Sequence, residues 1–199
     1  MEGKRRIGFV GLLSFFLAGC DLGEPIQLGP AQPALVTVLG EAKLPKDYPV
    51  NEVQAIRLYT LEGRLIACGS LLDETGAYSL SVAPANLHDT TGLFQLALKD
   101  GATIVYSAPL RLSKDSPERR QNIDAATTAL WLAAKESAGK GQNPLQWNFD
   151  RLLTEQSVKD AATKIEGEVV EWSRDRQGAP FTTSIQGSIE RILAVASKI

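Results

Sequence analysis

The chain is poor in the residues that metal and redox chemistry most often need. One histidine, His88, and two cysteines, Cys20 and Cys68, occur in 199 residues. A zinc centre takes several His or Cys ligands, so none is expected. There is no Cys-x-x-Cys, His-Glu-x-x-His, Walker loop or dinucleotide fingerprint. Asp73-Glu74-Thr75-Gly76 lacks the ligand spacing of a calcium loop. No cofactor and no metal are therefore expected. Excess positive charge is also missing: 21 Lys and Arg stand against 23 Asp and Glu, and no basic face for nucleic acid is evident. No apolar run reaches the about 20 residues of a membrane-spanning helix. No internal repeat is visible.

What the chain does have begins at its first residues. Lys4, Arg5 and Arg6 form a short basic start, and Ile7 to Ala18 is apolar without a charge. That is the layout of an export signal. It ends in Leu17-Ala18-Gly19-Cys20, which resembles the bacterial lipobox: an apolar residue, two small residues, then cysteine. The resemblance implies a lipoprotein signal peptide over 1–19, cleavage between Gly19 and Cys20, and a lipidated Cys20, with the membrane as partner through that lipid. Acyl chains of this kind, palmitate among them, hold a protein firmly because each buried methylene contributes about 0.8 kcal/mol. The location implied is a bacterial cell envelope. Asp21 resembles the inner-membrane retention signal of enteric lipoproteins, which leaves inner against outer membrane open. The competing reading of Cys20 is a buried residue closing a core helix. Residues 1–19 hold three basic residues and one acidic, so without them the net charge is −4 rather than −2. A lipidated Cys20 also leaves Cys68 without a partner, so no intrachain disulfide is expected on an export route that permits one.

Residues 20–34 hold three prolines and two glycines after Cys20 and read as a tether. Extended, its fourteen residues from Asp21 span roughly 45 Å at about 3.3 Å each. From 35 to 112 the hydrophobic period is two. Val36 and Val38, Ile56 and Leu58, Tyr78, Leu80 and Val82, Phe94, Leu96 and Leu98, and Ile104, Tyr106 and Ala108 each alternate with other residues. Glu62-Gly63, Thr75-Gly76 and Asp100-Gly101 supply turn signals between runs. Six or seven short antiparallel strands follow, hence a small β-sandwich. Val38-Leu39-Gly40-Glu41-Ala42, Ile56-Arg57-Leu58-Tyr59 and Thr75-Gly76-Ala77-Tyr78-Ser79-Leu80 resemble the carboxypeptidase regulatory-like, or prealbumin-like, sandwich. That family implies a binding or structural role and carries no shared catalytic residues.

From 120 onward the period changes, after a polar break at Ser113 to Glu118. Asp124 is placed to cap a helix running to about Ser137, closed by Gly139-Lys140-Gly141. A second helix is predicted from about Asp150 to Arg174, with Val158, Ala162, Ile165, Val169 and Trp172 on its apolar face. Gly178-Ala179-Pro180 breaks it. Thr183 and Gln186 have the spacing of a capping box for a third helix, which buries Ile185, Ile189, Ile192, Leu193 and Ala196. The fold class is therefore α+β: a sandwich over 35–112 followed by about three helices over 120–199.

Candidate chemistry is sparse. His88 lies in a loop between strands and reads as a surface histidine. Ser137-Ala138-Gly139-Lys140 matches Ser-x-x-Lys, yet the serine closes a helix where that chemistry needs it to open one, and no Gly-x-Ser-x-Gly elbow occurs. Glu166, Glu168 and Glu171 read as a solvated helix side. Trp147 and Phe149 sit in or beside a loop and form either a platform for a sugar ring or peptide or an anchor of the loop to the core. Trp172 and, by default, Cys68 read as core. No catalytic residue is assigned. The expectation is a lipid-anchored envelope protein with a non-catalytic binding or scaffolding role toward a protein or glycan. The alternatives are an envelope enzyme acting on wall glycan or peptide, and an assembly subunit docking a partner through its C-terminal helices.

Overall fold

The computed structural model describes residues 34–48, 54–71, 75–116, 118–181 and 183–199. The export signal, Cys20, the cleavage point, Asp21 and the tether as far as residue 33 lie outside the described residues, as do Asp73 and Glu74. The folded part forms one compact α+β unit. Seven strands precede four helices: β1 (Val36–Glu41), β2 (Gln54–Thr60), β3 (Leu65–Leu71), β4 (Ala77–Val82), β5 (Gly92–Asp100), β6 (Thr103–Leu112), β7 (Glu118–Arg120), α1 (Ala125–Gly139), α2 (Phe149–Thr154), α3 (Gln156–Asp175) and α4 (Gln186–Ala196).

The strands hydrogen-bond in the order β6-β5-β2-β3-β4-β1-β7. Among the described residues the β3–β4 ladder is two pairs long, Ser70 with Ser79 and Leu71 with Tyr78. The sheet thus divides there into a four-stranded part and a three-stranded part. Alternation works as the sequence implied in β1, β2 and β4: Val36, Val38, Ile56, Leu58, Tyr78, Leu80 and Val82 are all buried and join one core. In β5 and β6 both faces are covered, because Ala97, Val105 and Ser107 are buried as well as their neighbours. Strands enclosed on both sides lose their polar face.

Five details depart from the sequence reading. The polar break ends in β7, which pairs parallel to β1, so the sheet is not wholly antiparallel. Cys68 is exposed. It pairs across from Arg57, while Gly69 and Ala67 pair with the buried Ile56 and Leu58. Spacing from Ile66 set the parity correctly but could not say which parity faces inward. The long second helix is two: Glu155 takes an extended ψ of 140° and separates α2 from α3. Among the described residues the α-helices are therefore four. On α3 the fully buried small residue is Ala161, while Ala162 is half-buried. Finally α4 begins at Gln186 with Ile185 at its cap and no side-chain cap bond, because a 3-10 turn over Thr183–Ile185 precedes it.

α1 is the centre of the helical layer. It packs against β6, α2, α3 and α4. Nine of its fifteen residues are buried, among them Ala129, Leu130, Trp131, Ala133 and Ala134. A helix apolar all round belongs inside, and its alanines let neighbours approach closely. Its start is fixed by a reciprocal cap. Asp124 Oδ1 accepts from Thr127 N–H at 2.8 Å, and Asp124 N–H donates to Thr127 Oγ1 at 2.9 Å. Beside this cap the free edge of β6 is closed. Ser107 N–H donates to Thr128 Oγ1 at 2.9 Å, and Ser107 O lies 3.0 and 3.1 Å from the hydroxyls of Thr128 and Thr127. Residues just upstream serve the other end of the sheet: Gln121 N–H donates to Leu39 O, and Ile123 N–H donates to Glu41 O, both at 2.9 Å.

A second tie joins distant segments. Asp100, at the end of β5, is buried and accepts a bond from Tyr48 Oη while pairing with Arg176 at 3.2 Å. Arg176 closes α3 in the left-handed conformation, φ 56°, which costs a non-glycine residue roughly 1 kcal/mol. Its ion pair holds it there.

Two glycines separate steric need from idle space. A Cβ on Gly40 would lie 1.8 Å from Gln121 O, whereas one on Gly167, inside α3, would meet nothing within 4 Å. Gly40→Ala is expected to lower unfolding free energy by about 2–3 kcal/mol, and Gly167→Ala to raise it by roughly 0.8 kcal/mol, both read by urea titration. Thr128→Val keeps the shape of the side chain but leaves Ser107 N–H unpaired. It should cost about 1–3 kcal/mol, with Thr128→Ser restoring most of the loss.

Candidate binding cleft

Turn chemistry at one end of the sheet builds the clearest concavity. The β2–β3 hairpin closes through Gly63, φ 89°, with Thr60 N–H donating to Arg64 O at 2.9 Å. This turn presents Leu61, Glu62 and Arg64. Beside it, a 3-10 turn at Pro84–Asn86 leads into Leu87, buried, and His88, exposed. Asn86 Nδ2 donates to Ile66 O at 3.4 Å, and Lys114 N–H donates to His88 O at 3.2 Å, so both ends of that loop are tied. The third wall follows α1. Gly141, φ 76°, turns the chain, and Asn143 Oδ1 accepts from Leu145 N–H at 3.1 Å to start a 3-10 turn at Pro144–Gln146. Between these walls lies a cleft of about 420 Å³, with Leu93 and Phe94 of β5 at its base. That size falls in the range of small-ligand pockets, about 300–1,000 Å³.

Trp147 and Phe149 secure the third wall. Trp147 is 9% exposed, and its ring meets that of Phe149 edge to face at 6.1 Å. Arg111 donates to Trp147 O and stacks over Phe149 at 4.7 Å. Arg111 pairs across the β5–β6 ladder with Leu93, so one strand pair supplies both the base of the cleft and the tether of its wall. Burial pushes the Arg111 guanidinium pKa down, with nearby Asp150 opposing. The structure thus brings Trp147 and Phe149 together beside the cleft. Trp147 faces the core, and the half-buried Phe149 ring is covered by Arg111.

The remaining candidates scatter. Ser137 is buried and donates to Gln142 Oε1 at 2.8 Å, while Lys140 pairs with Glu136 at 2.9 Å. Glu168 accepts from Ser184. Glu166 and Glu171 line an open groove of about 780 Å³ with Asp47 on its other wall, and all three carboxylates are exposed. No burial sets one apart as an acid and another as a base. Trp131 and Trp172 are core, the latter donating to Gly178 O at 3.2 Å. Among the described residues no group of three or more His, Cys, Asp or Glu is placed to hold a metal, and no helix is long and apolar enough to cross a membrane. The sequence reading had His88 but not its neighbours: Arg64, Asn86, Leu93 and Leu145 come from four separate segments, and no local motif joins them.

No family model matches the chain, and no curated protein or solved structure matches it either.

Glu62 is held below the ordinary glutamate range. A hydrogen bond from the Thr60 side chain contributes most, followed by a backbone bond, with Arg64 and His88 adding attraction. A depressed carboxyl stabilises the fold above its unfolded pKa and loses that contribution as pH falls through the folded value. Thr60→Ala should therefore move the Glu62 titration upward in a carboxyl-detected NMR series and bring the loss to higher pH.

Proposed function

We propose that this protein is a lipid-anchored component of a bacterial cell envelope, held by Cys20, whose folded part works by binding and not by catalysis. The observation that carries the reading is Leu17-Ala18-Gly19-Cys20 placed behind a basic start and an uninterrupted apolar run. The binding half is supported by the formed cleft and by exposed, unfocused carboxylates elsewhere. The divided sheet suits the prealbumin-like sandwich that the strand motifs resemble, and such modules serve binding or structural roles. Docking through the C-terminal helices is less well supported. The apolar stripe of α3, from Val158 to Trp172, and Ile189 and Ile192 of α4 are covered within the chain.

Expression of the full precursor in a bacterial host with labelled palmitate tests the anchor. The wild-type chain should be labelled and sediment with membranes, and Cys20→Ala should lose the label and the shift in mobility. An unlabelled, soluble wild-type product overturns the reading.

A further inference from the structure

The rim of the cleft is unequal in its hydrogen-bonding capacity. Three of its acceptors are already used. Gln142 Oε1 accepts from Ser137, Asn143 Oδ1 accepts from Leu145 N–H, and the Glu62 carboxylate is bonded by the Thr60 side chain within its own turn. Its donors are not used in the same way. Among the described residues the guanidinium of Arg64 and the imidazole of His88 make no hydrogen bond or salt bridge, though both attract the Glu62 carboxylate, and the amide N–H₂ groups of Gln142 and Asn143 make none either. A ligand that presents acceptors is what such a rim can satisfy. The interior asks for something else. Leu93 and Phe94 are 8% and 4% exposed, and Leu61, Pro144, Leu145 and Ala138 complete an apolar lining. Phe94 is the one aromatic carbocycle among its lining residues.

We propose that the cleft binds a small amphiphilic carboxylic acid, its aliphatic or aromatic body against Leu93, Phe94 and Leu145 and its carboxylate on Arg64 and His88. The assignment rests on the cleft being the binding site of the reading above. Arg64 can grip a carboxylate through two parallel N–H donors, and His88 adds a further donor on the same rim. Burial of the body between Leu93 and Leu145 supplies most of the affinity, and the charged end supplies selection. A neutral alcohol of similar length offers one uncharged acceptor in place of two charged oxygens and so binds more weakly.

The test compares 4-phenylbutyrate with 4-phenylbutan-1-ol by titration calorimetry on the full chain reconstituted in nanodiscs, with empty nanodiscs as the blank. The acid is expected to saturate one site at least tenfold more tightly than the alcohol. Arg64→Ala combined with His88→Ala should remove most of that preference, weakening the acid far more than the alcohol. Leu145→Ser should weaken both compounds at least fivefold. Equal affinity for acid and alcohol, with the Leu145→Ser effect present, overturns the carboxylate assignment and leaves the cleft as a binding site. Binding that none of these substitutions changes, or no binding of either compound, overturns the proposal. The palmitate result is independent of all these outcomes.

Discussion

The bonds between Ser107 and the hydroxyls of Thr127 and Thr128 carry more of this structure than their number suggests. β6 ends the strand order, and a free edge there would offer unpaired N–H and C=O groups to any other strand. Here one hydroxyl accepts from Ser107 N–H and the other is free to donate to Ser107 O. Each hydroxyl has a single proton. Thr128 Oγ1 lies 2.6 Å from Asp124 O, so a consistent arrangement gives Thr128's proton to Asp124 and Thr127's to Ser107. Every member of the node is then satisfied. The same segment runs alongside β1 at Gln121 and Ile123. Both ends of the strand order are therefore held by the eight consecutive residues from Gln121 to Thr128.

That constraint determines where α1 begins, and α1 determines the rest. With its cap locked onto β6, the helix lies where its small residues can receive α3 and α4 and where its end delivers the 141–145 turn to the cleft. Arg111 then repeats the device one level out. It reaches from β6 to Trp147 O and fixes the chain just after that turn. The cleft is a consequence of two hydrogen-bonded attachments of helical chain to a single strand. Its shape is set by elements that have little freedom to move apart.

The legibility of these features follows their range. Strands with one covered face were plain from alternation at Val36, Val38, Tyr78, Leu80 and Val82. The Asp124 cap was plain because its partner is three residues away. The inward parity of β3 was not, since Ile66 and Cys68 resemble a core pair and only register against β2 puts Gly69 and Ala67 inside. Gly69 is required there for a reason invisible locally: a Cβ would lie 2.9 Å from Ser79 O. The break at Glu155 was hidden because Leu152 and Val158 both read as helix interior. β7 was hidden because Glu118, Arg119 and Arg120 are exposed and carry no hydrophobic period. The cleft was hidden for the strongest reason, as four segments meet there through tertiary contacts alone.

Two concavities of different character separate binding from mere roughness. The groove beside α3 is the larger, yet its walls are Lys46, Asp47, Glu166, Glu171 and Arg174, long or charged side chains standing in water. Mixed charges in high dielectric attract a ligand by about 1 kcal/mol or less per contact, and ordering those side chains opposes even that. The cleft is smaller, but its base is two buried residues of a central strand and its rim groups sit on tied turns. Apolar area removed from water stabilises a complex at roughly 25 cal/mol per Å², without first immobilising a flexible wall. Rigidity at Leu93 and Phe94 is inherited from the β5–β6 ladder and, through Arg111 and Ser107, from the same attachments that hold α1. The cleft and the bonds that close the sheet are one mechanical unit.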